Sequence, residues 1–159
     1  MNTRTGEGVS TSPPVGRLIS IVTAAAAENM AVDQAILDSV TQNGVPVLRF
    51  YQWAEPTLSL GYFQRLAARS KHAQSSQIHC VRRTTGGGAI VHDRELTYSI
   101  AIPVSAGQAG PRSTLYQQTH AAIADALACF GANAVPFRLT GADSRLESEN
   151  SQFLCFQRR

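Results

Sequence analysis

Gly86, Gly87 and Gly88 stand between two β-prone runs, Ile78–Arg83 and Ala89–Val91, and this order places a tight turn at the centre of the chain. Three successive residues without a Cβ let a ligand approach the main chain closely. Their N–H groups can then face an anion or a carbonyl oxygen. A flexible hairpin turn uses such a triplet equally well. Arg82 and Arg83 enter the turn with fixed positive charge suited to a carboxylate or phosphate, and His92 and Asp93 follow its exit. An apolar wall beside an anion-binding turn suits an acyl chain with a polar head.

Composition removes several classes of function. At 159 residues, 43% hydrophobic and 16% charged, the chain suits one soluble globular domain. No apolar run approaches the roughly 20 residues of a membrane helix. Met1–Gly6 leads into no hydrophobic stretch, so a cytoplasmic location without membrane attachment is expected. Cys80, Cys129 and Cys155 form no C-x-x-C pair, which points to reduced thiols and no zinc site. Cys80 and Cys129 lie in apolar patterns and are assigned to structure. His72, His79, His92 and His120 lack ligand spacing, and no Gly-x-Ser-x-Gly elbow accompanies them, so neither a metal centre nor a serine triad is expected. The formal charge is +3, but the arginines are scattered without interleaved aromatics, which favours acidic proteins over nucleic acid as partners.

Along the chain, residues 1–16 are rich in Thr, Ser, Gly and Pro and read as a disordered leader. Leu18–Thr23 reads as a strand and Ala24–Gln42 as a helix closed by Gly44 and packed across a sheet. Val45–Trp53 and Thr57–Phe63 read as an antiparallel pair broken at Glu55-Pro56. A short helix at Leu66–Ser75 and strands at Ile78–Arg83, Ile90–His92 and Leu96–Pro103 follow. Ser105–Pro111 is a loop, and Ser113–Phe130 is an amphipathic helix with Gly131 as its C-cap. Ala132–Phe137 reads as a further strand, Thr140–Asn150 as a loop, and Ser151–Arg159 opens an apolar segment. The irregular alternation implies an α+β fold with a mixed or antiparallel sheet and packed helices.

The run Arg82-Arg83-x-x-Gly86-Gly87-Gly88-Ala89-x-x-His92-Asp93, followed by Glu95-Leu96-Thr97-Tyr98-Ser99, resembles the signature of the lipoate–protein ligase and octanoyltransferase family. Two more blocks resemble that family in the right order. Asn29-Met30-Ala31-Val32-Asp33-Gln34-Ala35 is similar to its first-helix motif. Leu48–Trp53 with Pro56–Gln64 is similar to its substrate-side strands. Biotin ligases share the general fold, but their loop carries an arginine between glycines. The resemblance implies a biotin/lipoate protein ligase-like fold and makes residues 17–159 the N-terminal part of a catalytic domain. The family's later Gly-x-Lys-x-x-Gly-Ser segment has no counterpart, so the chain reads as C-terminally incomplete.

The resemblance also implies a site. Arg49, Arg82, Arg83, Gly86, Gly87, Gly88, Ala89, Ile90, Val91, His92 and Asp93 would bind an acyl group or an acyl adenylate. Cys155, in Cys155-Phe156 after a polar loop, would be the nucleophile of an octanoyltransferase. Thiolate attack exchanges one thioester for another, and the acyl group then passes to a lysine amine. A small buried hydrophobe is the competing reading of Cys155. Arg49, Tyr51 and Trp53 share one sheet face by alternation, as tunnel lining or as core. The implied donor is octanoyl-acyl carrier protein. The implied acceptors are lipoyl domains of 2-oxoacid dehydrogenases or the glycine cleavage H protein, with no cofactor. An ATP-dependent lipoate–protein ligase would instead use ATP and Mg, held by Arg83 and Gly88–Val91. A non-catalytic acyl-binding remnant is the third possibility.

Overall fold

The computed structural model of the chain describes residues 15–104, 112–135 and 153–154. The expected leader up to residue 14, the expected loops at 105–111 and 140–150, and Cys155 lie outside the described residues. The chain forms two compact units. Among the described residues, one comprises those up to Pro56 together with Asp93–Pro103, and the other comprises Thr57–His92 together with those from Val104 on.

In the first unit β1 (Arg17–Ala24) leads into α1 (Ala26–Asn43), followed by β2 (Val47–Trp53). The later strand β6 (Thr97–Ala101) returns to this sheet, whose order is β1-β2-β6. β1 runs parallel to β2 with a register irregularity between Ile19 and Val22, and β6 runs antiparallel to β2, Val47 facing Ala101 and Tyr51 facing Thr97. The period-two pattern of β2 decides its burial: Val47, Arg49, Tyr51 and Trp53 are buried and Gln52 is exposed. α1 answers with Ala26, Asn29, Ile36 and Val40, spaced three, four or seven apart on one face. Ile36 and Val40 pack on Val47, with Ile19, Val32 and Ala101 around them. Burial of that kind is worth about 1.5–3 kcal/mol for each large aliphatic side chain. The helix stops because Gly44 adopts φ 70° and donates its N–H to the Val40 carbonyl.

The second unit is built on β3 (Thr57–Leu60), with β4 (His79–Arg82) parallel on one side and β5 (Ile90–His92) antiparallel on the other. β3 is buried on both faces. Leu58 and Leu60 form a core with Ala89 and Phe153, and Ala68, Ile78, Cys80 and Leu154 pack around it. The parallel step from β3 to β4 requires a crossover. Two 3-10 turns, Leu66–Lys71 and Ala73–Ser75, supply it, and Arg69 ties its end by donating to the carbonyls of Ser75 and Ile78. The Ala89–Leu154 bridge runs parallel to the exit of the glycine turn. α2 (Arg112–Ala128) leaves Tyr116, Ile123 and Leu127 exposed.

The mixed pairing matches the expected α+β architecture, and α1, β4 and β5 fall where the sequence puts them. The expected antiparallel pair of Val45–Trp53 with Thr57–Phe63 does not form. β2 is central in one sheet and β3 in the other, each already holding a neighbour on both sides. Glu55-Pro56 is therefore a passage between units and not a hairpin turn. The segment after Leu66 makes 3-10 turns in place of the expected short helix. Of the strand expected at Ala132–Phe137, residues 132–135 are irregular and 136–137 lie outside the described residues.

Candidate functional site

The glycine turn lies in the second unit, and its carbonyl groups are held by neighbouring main chain and side chains. Arg83 Nη2 donates to the Gly86 carbonyl at 3.1 Å and to the Gly88 carbonyl at 2.9 Å. Its Nη1 donates to the Ser59 carbonyl at 2.9 Å and the Ser59 hydroxyl at 2.7 Å. The Thr85 carbonyl accepts from Tyr62 N–H at 2.9 Å. The Gly87 carbonyl rests against Gly61, where an added Cβ would stand 3.0 Å from the Gly87 carbonyl carbon and closer still to its oxygen. Gly87 takes φ 93°, a region that favours glycine.

In a trans peptide the N–H points opposite to the carbonyl of the preceding residue. The carbonyls of Thr85, Gly86 and Gly88 are held by hydrogen bonds and that of Gly87 lies against Gly61, which together set the direction of the N–H groups of Gly86, Gly87, Gly88 and Ala89. Ala89 N–H donates to the Phe153 carbonyl at 2.8 Å. The N–H groups of Gly86, Gly87 and Gly88 make no hydrogen bond among the described residues. Three donors of set direction thus stand beside an apolar strand, each able to donate to a carbonyl oxygen or an anion.

Arg82 works on the neighbouring turn. Its Nη1 donates to the carbonyls of Gly61, Tyr62 and Gln64 at 3.1, 3.0 and 2.6 Å. Its Nε and Nη2 make no hydrogen bond among the described residues, and the side chain is exposed. Gln64 joins this turn to the 153–154 segment: its Oε1 accepts from Gly61 N–H at 3.0 Å and its Nε2 donates to the Phe153 carbonyl at 2.9 Å. His92 is 4% exposed, with Nε2 2.7 Å from the Ser59 hydroxyl. Ala89 is buried, Ile90 half-buried and Val91 exposed.

Two expected site residues fall in the other unit. Arg49, 3% exposed, donates Nη1 to Asp33 Oδ1 at 2.7 Å and Nη2 to Asn29 Oδ1 at 2.6 Å, with its guanidinium 4.0 Å above the Tyr51 ring. Tyr51 hydroxyl and Ser99 hydroxyl also donate to Asp33, at 3.1 and 2.8 Å. Asp93 is exposed, and its backbone N–H donates to Glu95 Oε2 at 2.9 Å. Arg49, Tyr51 and Trp53 do share a buried face, and the Tyr51 and Trp53 rings lie 5.7 Å apart. Sequence reasoning placed Ser59, Gly61, Gln64 and the Asn29–Asp33 pair inside family-like blocks but gave them no site role. The last had a visible signal: two polar residues four apart on the apolar face of a helix need a buried partner. Cys80 is half-buried, whereas Cys129 is exposed and its thiol lies 3.4 Å from the Asp125 carbonyl. No group of three or more His, Cys, Asp or Glu able to hold a metal occurs among the described residues.

Residues 25–142 match the model of the lipoyl protein ligase A/B catalytic domain. The chain belongs to this family. It is 47% identical over 87 residues to octanoyltransferase LipM of Carboxydothermus hydrogenoformans, covering 53% of this chain and 32% of that protein. It is 46% identical over 80 residues to octanoyltransferase LipM of Staphylococcus aureus, covering 48% of this chain and 29% of that protein. The chain thus spans about a third of the length of these relatives. A lipoate-protein ligase A solved with bound ATP superposes with TM-score 0.62 at 28% identity, over 79% of this chain and 51% of that one. Protein Ta0514 of T. acidophilum, solved with bound lipoic acid, superposes with TM-score 0.61 at 27% identity, over 79% of this chain and 52% of that one. The glycine turn and its carbonyl braces lie within the residues that match this catalytic domain. No helix among its described residues is long and apolar enough to cross a membrane.

Proposed function

We propose that the chain carries the acyl-binding part of an octanoyltransferase of lipoate biosynthesis. The carrying observation is the set of three oriented N–H groups at Gly86–Gly88, without a hydrogen bond among the described residues, followed at once by Ala89, whose N–H donates to the carbonyl of Phe153, two residues before Cys155 in sequence. In this reading the Cys155 thiolate attacks the thioester carbonyl of octanoyl-acyl carrier protein, and the carrier thiol leaves. The glycine N–H groups donate to the oxygen that gains charge during the attack. A lysine amine of a lipoyl domain then attacks the Cys155 thioester, forming the amide and releasing the cysteine thiol. Neither ATP nor metal enters these steps. Arg82, whose Nε and Nη2 make no hydrogen bond among the described residues, serves the polar end of the donor or an acidic carrier surface. Arg49 braces the first unit, and His92 lies at the end of β5 in the second.

The likeness to a ligase solved with ATP supports a second reading, in which free lipoate is activated as an adenylate. Arg83 would meet the phosphates only by giving up the carbonyl bonds that shape the turn, which favours the first reading. Replacing Cys155→Ser in the whole gene product separates the two. The transferase reading requires a hydroxylamine-sensitive octanoyl adduct on the wild type after incubation with octanoyl-acyl carrier protein, and its loss in the variant. Undiminished lipoylation by Cys155→Ser from ATP and free lipoate would establish the ligase instead. Acyl binding with no turnover by either route would leave a non-catalytic module.

A further inference from the structure

Ser59 is fully buried on β3 and sits between two side chains of the glycine-turn signature. Thr57 lies directly opposite His92 in the β3–β5 ladder, so Ser59 and His92 are diagonal neighbours on one face of that sheet. Arg83 Nη1 can only donate, and it gives one proton to the Ser59 hydroxyl oxygen at 2.7 Å. That oxygen still carries its own proton, and a hydroxyl removed from water has to place it on an acceptor. Among the described residues the acceptor within reach is His92 Nε2, at 2.7 Å.

We infer that Ser59 is a positioning residue that orders Arg83, its own hydroxyl and His92 into one directional chain. An imidazole nitrogen that accepts a hydrogen bond carries no proton, so His92 is held as the neutral tautomer protonated on Nδ1. Its Nε2 is engaged and does not act as a base toward substrate. The proton it offers its surroundings is the one on Nδ1. The same guanidinium that donates to Ser59 holds the carbonyls of Gly86 and Gly88, so the orientation of the turn's N–H groups and the tautomer of His92 are set together. Arg83, the glycines and His92 share one run of sequence, while the link between them is a serine on a separate strand. This role goes beyond the acyl-transfer reading and is the same whether the acyl group arrives as a thioester or as an adenylate.

The test is nitrogen-resolved NMR on the chain labelled with 15N-histidine, in mildly alkaline buffer, with the His92 signals assigned through His92→Gln. The expected spectrum shows His92 as a single neutral tautomer with Nδ1 protonated and Nε2 bare. A protonated Nε2 overturns the proposal, and that measurement needs no variant of Ser59. In Ser59→Ala the single-tautomer signature is lost and the Gly86 and Gly88 amide signals shift, whereas Ser59→Thr, which keeps a hydroxyl, retains the tautomer. An Ala variant with the wild-type tautomer and unmoved glycine signals would show Ser59 to be packing alone.

Discussion

Gly61 and Gly87 cross with so little room that a Cβ built on Gly61 would meet the Gly87 carbonyl group, 3.0 Å from its carbon. The obstacle is backbone on both sides, so no side chain can rotate away to make space. Gly61→Ala is accordingly expected to displace the glycine turn and to cost about 1–3 kcal/mol, the range of overpacking in a dense interior. Denaturant melts of the variant and of a Gly44→Ala control, which strains a helix end without touching the turn, measure it. A Gly61→Ala protein of wild-type stability with unshifted Gly87 and Gly88 amide resonances would refute the close crossing.

Arg49 and Asp33 fasten α1 to β2 and β6. Arg49 is 3% exposed and Asp33 20%, and the ion pair spans 2.7 Å. Removing one partner of a buried pair costs about 3–5 kcal/mol because the other charge is stranded. Arg49→Leu is expected near the lower end, about 3 kcal/mol, since water reaches part of Asp33 and the hydroxyls of Tyr51 and Ser99 still donate to it. The double variant with Asp33→Leu should lose less than the sum of the single changes, a coupling that a double-mutant cycle reads directly.

Gln64 bridges Gly61 N–H and the Phe153 carbonyl through opposite ends of one amide. Gln64→Leu keeps the bulk and removes both bonds, leaving a donor unsatisfied at a cost of about 1–3 kcal/mol. The Phe153 carbonyl keeps its bond from Ala89 N–H, so the segment loosens without leaving. Hydrogen exchange should therefore speed up at Ala89 while α1 amides keep their protection. Equal acceleration in both would mean global destabilisation and not a local tether.

Leu58 is fully buried at the centre of the core it shares with Leu60, Ala89 and Phe153. Leu58→Ala is expected to destabilise the protein by about 2–5 kcal/mol through lost transfer energy and a residual cavity. Phe153→Leu should cost less and is the informative companion, because it tests whether the 153–154 segment contributes to this core. A neutral Phe153→Leu together with a neutral Phe153→Ala would remove it.

The sequence by itself determined the local elements whose causes are local. The apolar spacing of α1 and the left-handed Gly44 define a helix and its end. Alternation in β2 places Arg49, Tyr51 and Trp53 on one face, and three glycines demand a turn at 86–88. The family signature was legible too, because it is written in consecutive residues. Strand pairing was not: β2 and β3 look like two arms of a hairpin, yet each pairs with strands far along the chain, since pairing depends on which edges meet and not on which runs are adjacent. Nor could the sequence tell that Arg82 and Arg83 direct donors inward to main-chain carbonyls, a choice made by the carbonyls that the β3–β4 and turn geometry brings within reach. Ser59, Gly61 and Gln64 lie in a family-like block, but nothing in one dimension gives any of them a role at the turn. They matter because folding sets them against Arg83, Gly87 and Phe153, and hydrogen bonds and van der Waals contact act only across the few ångströms that tertiary structure alone supplies.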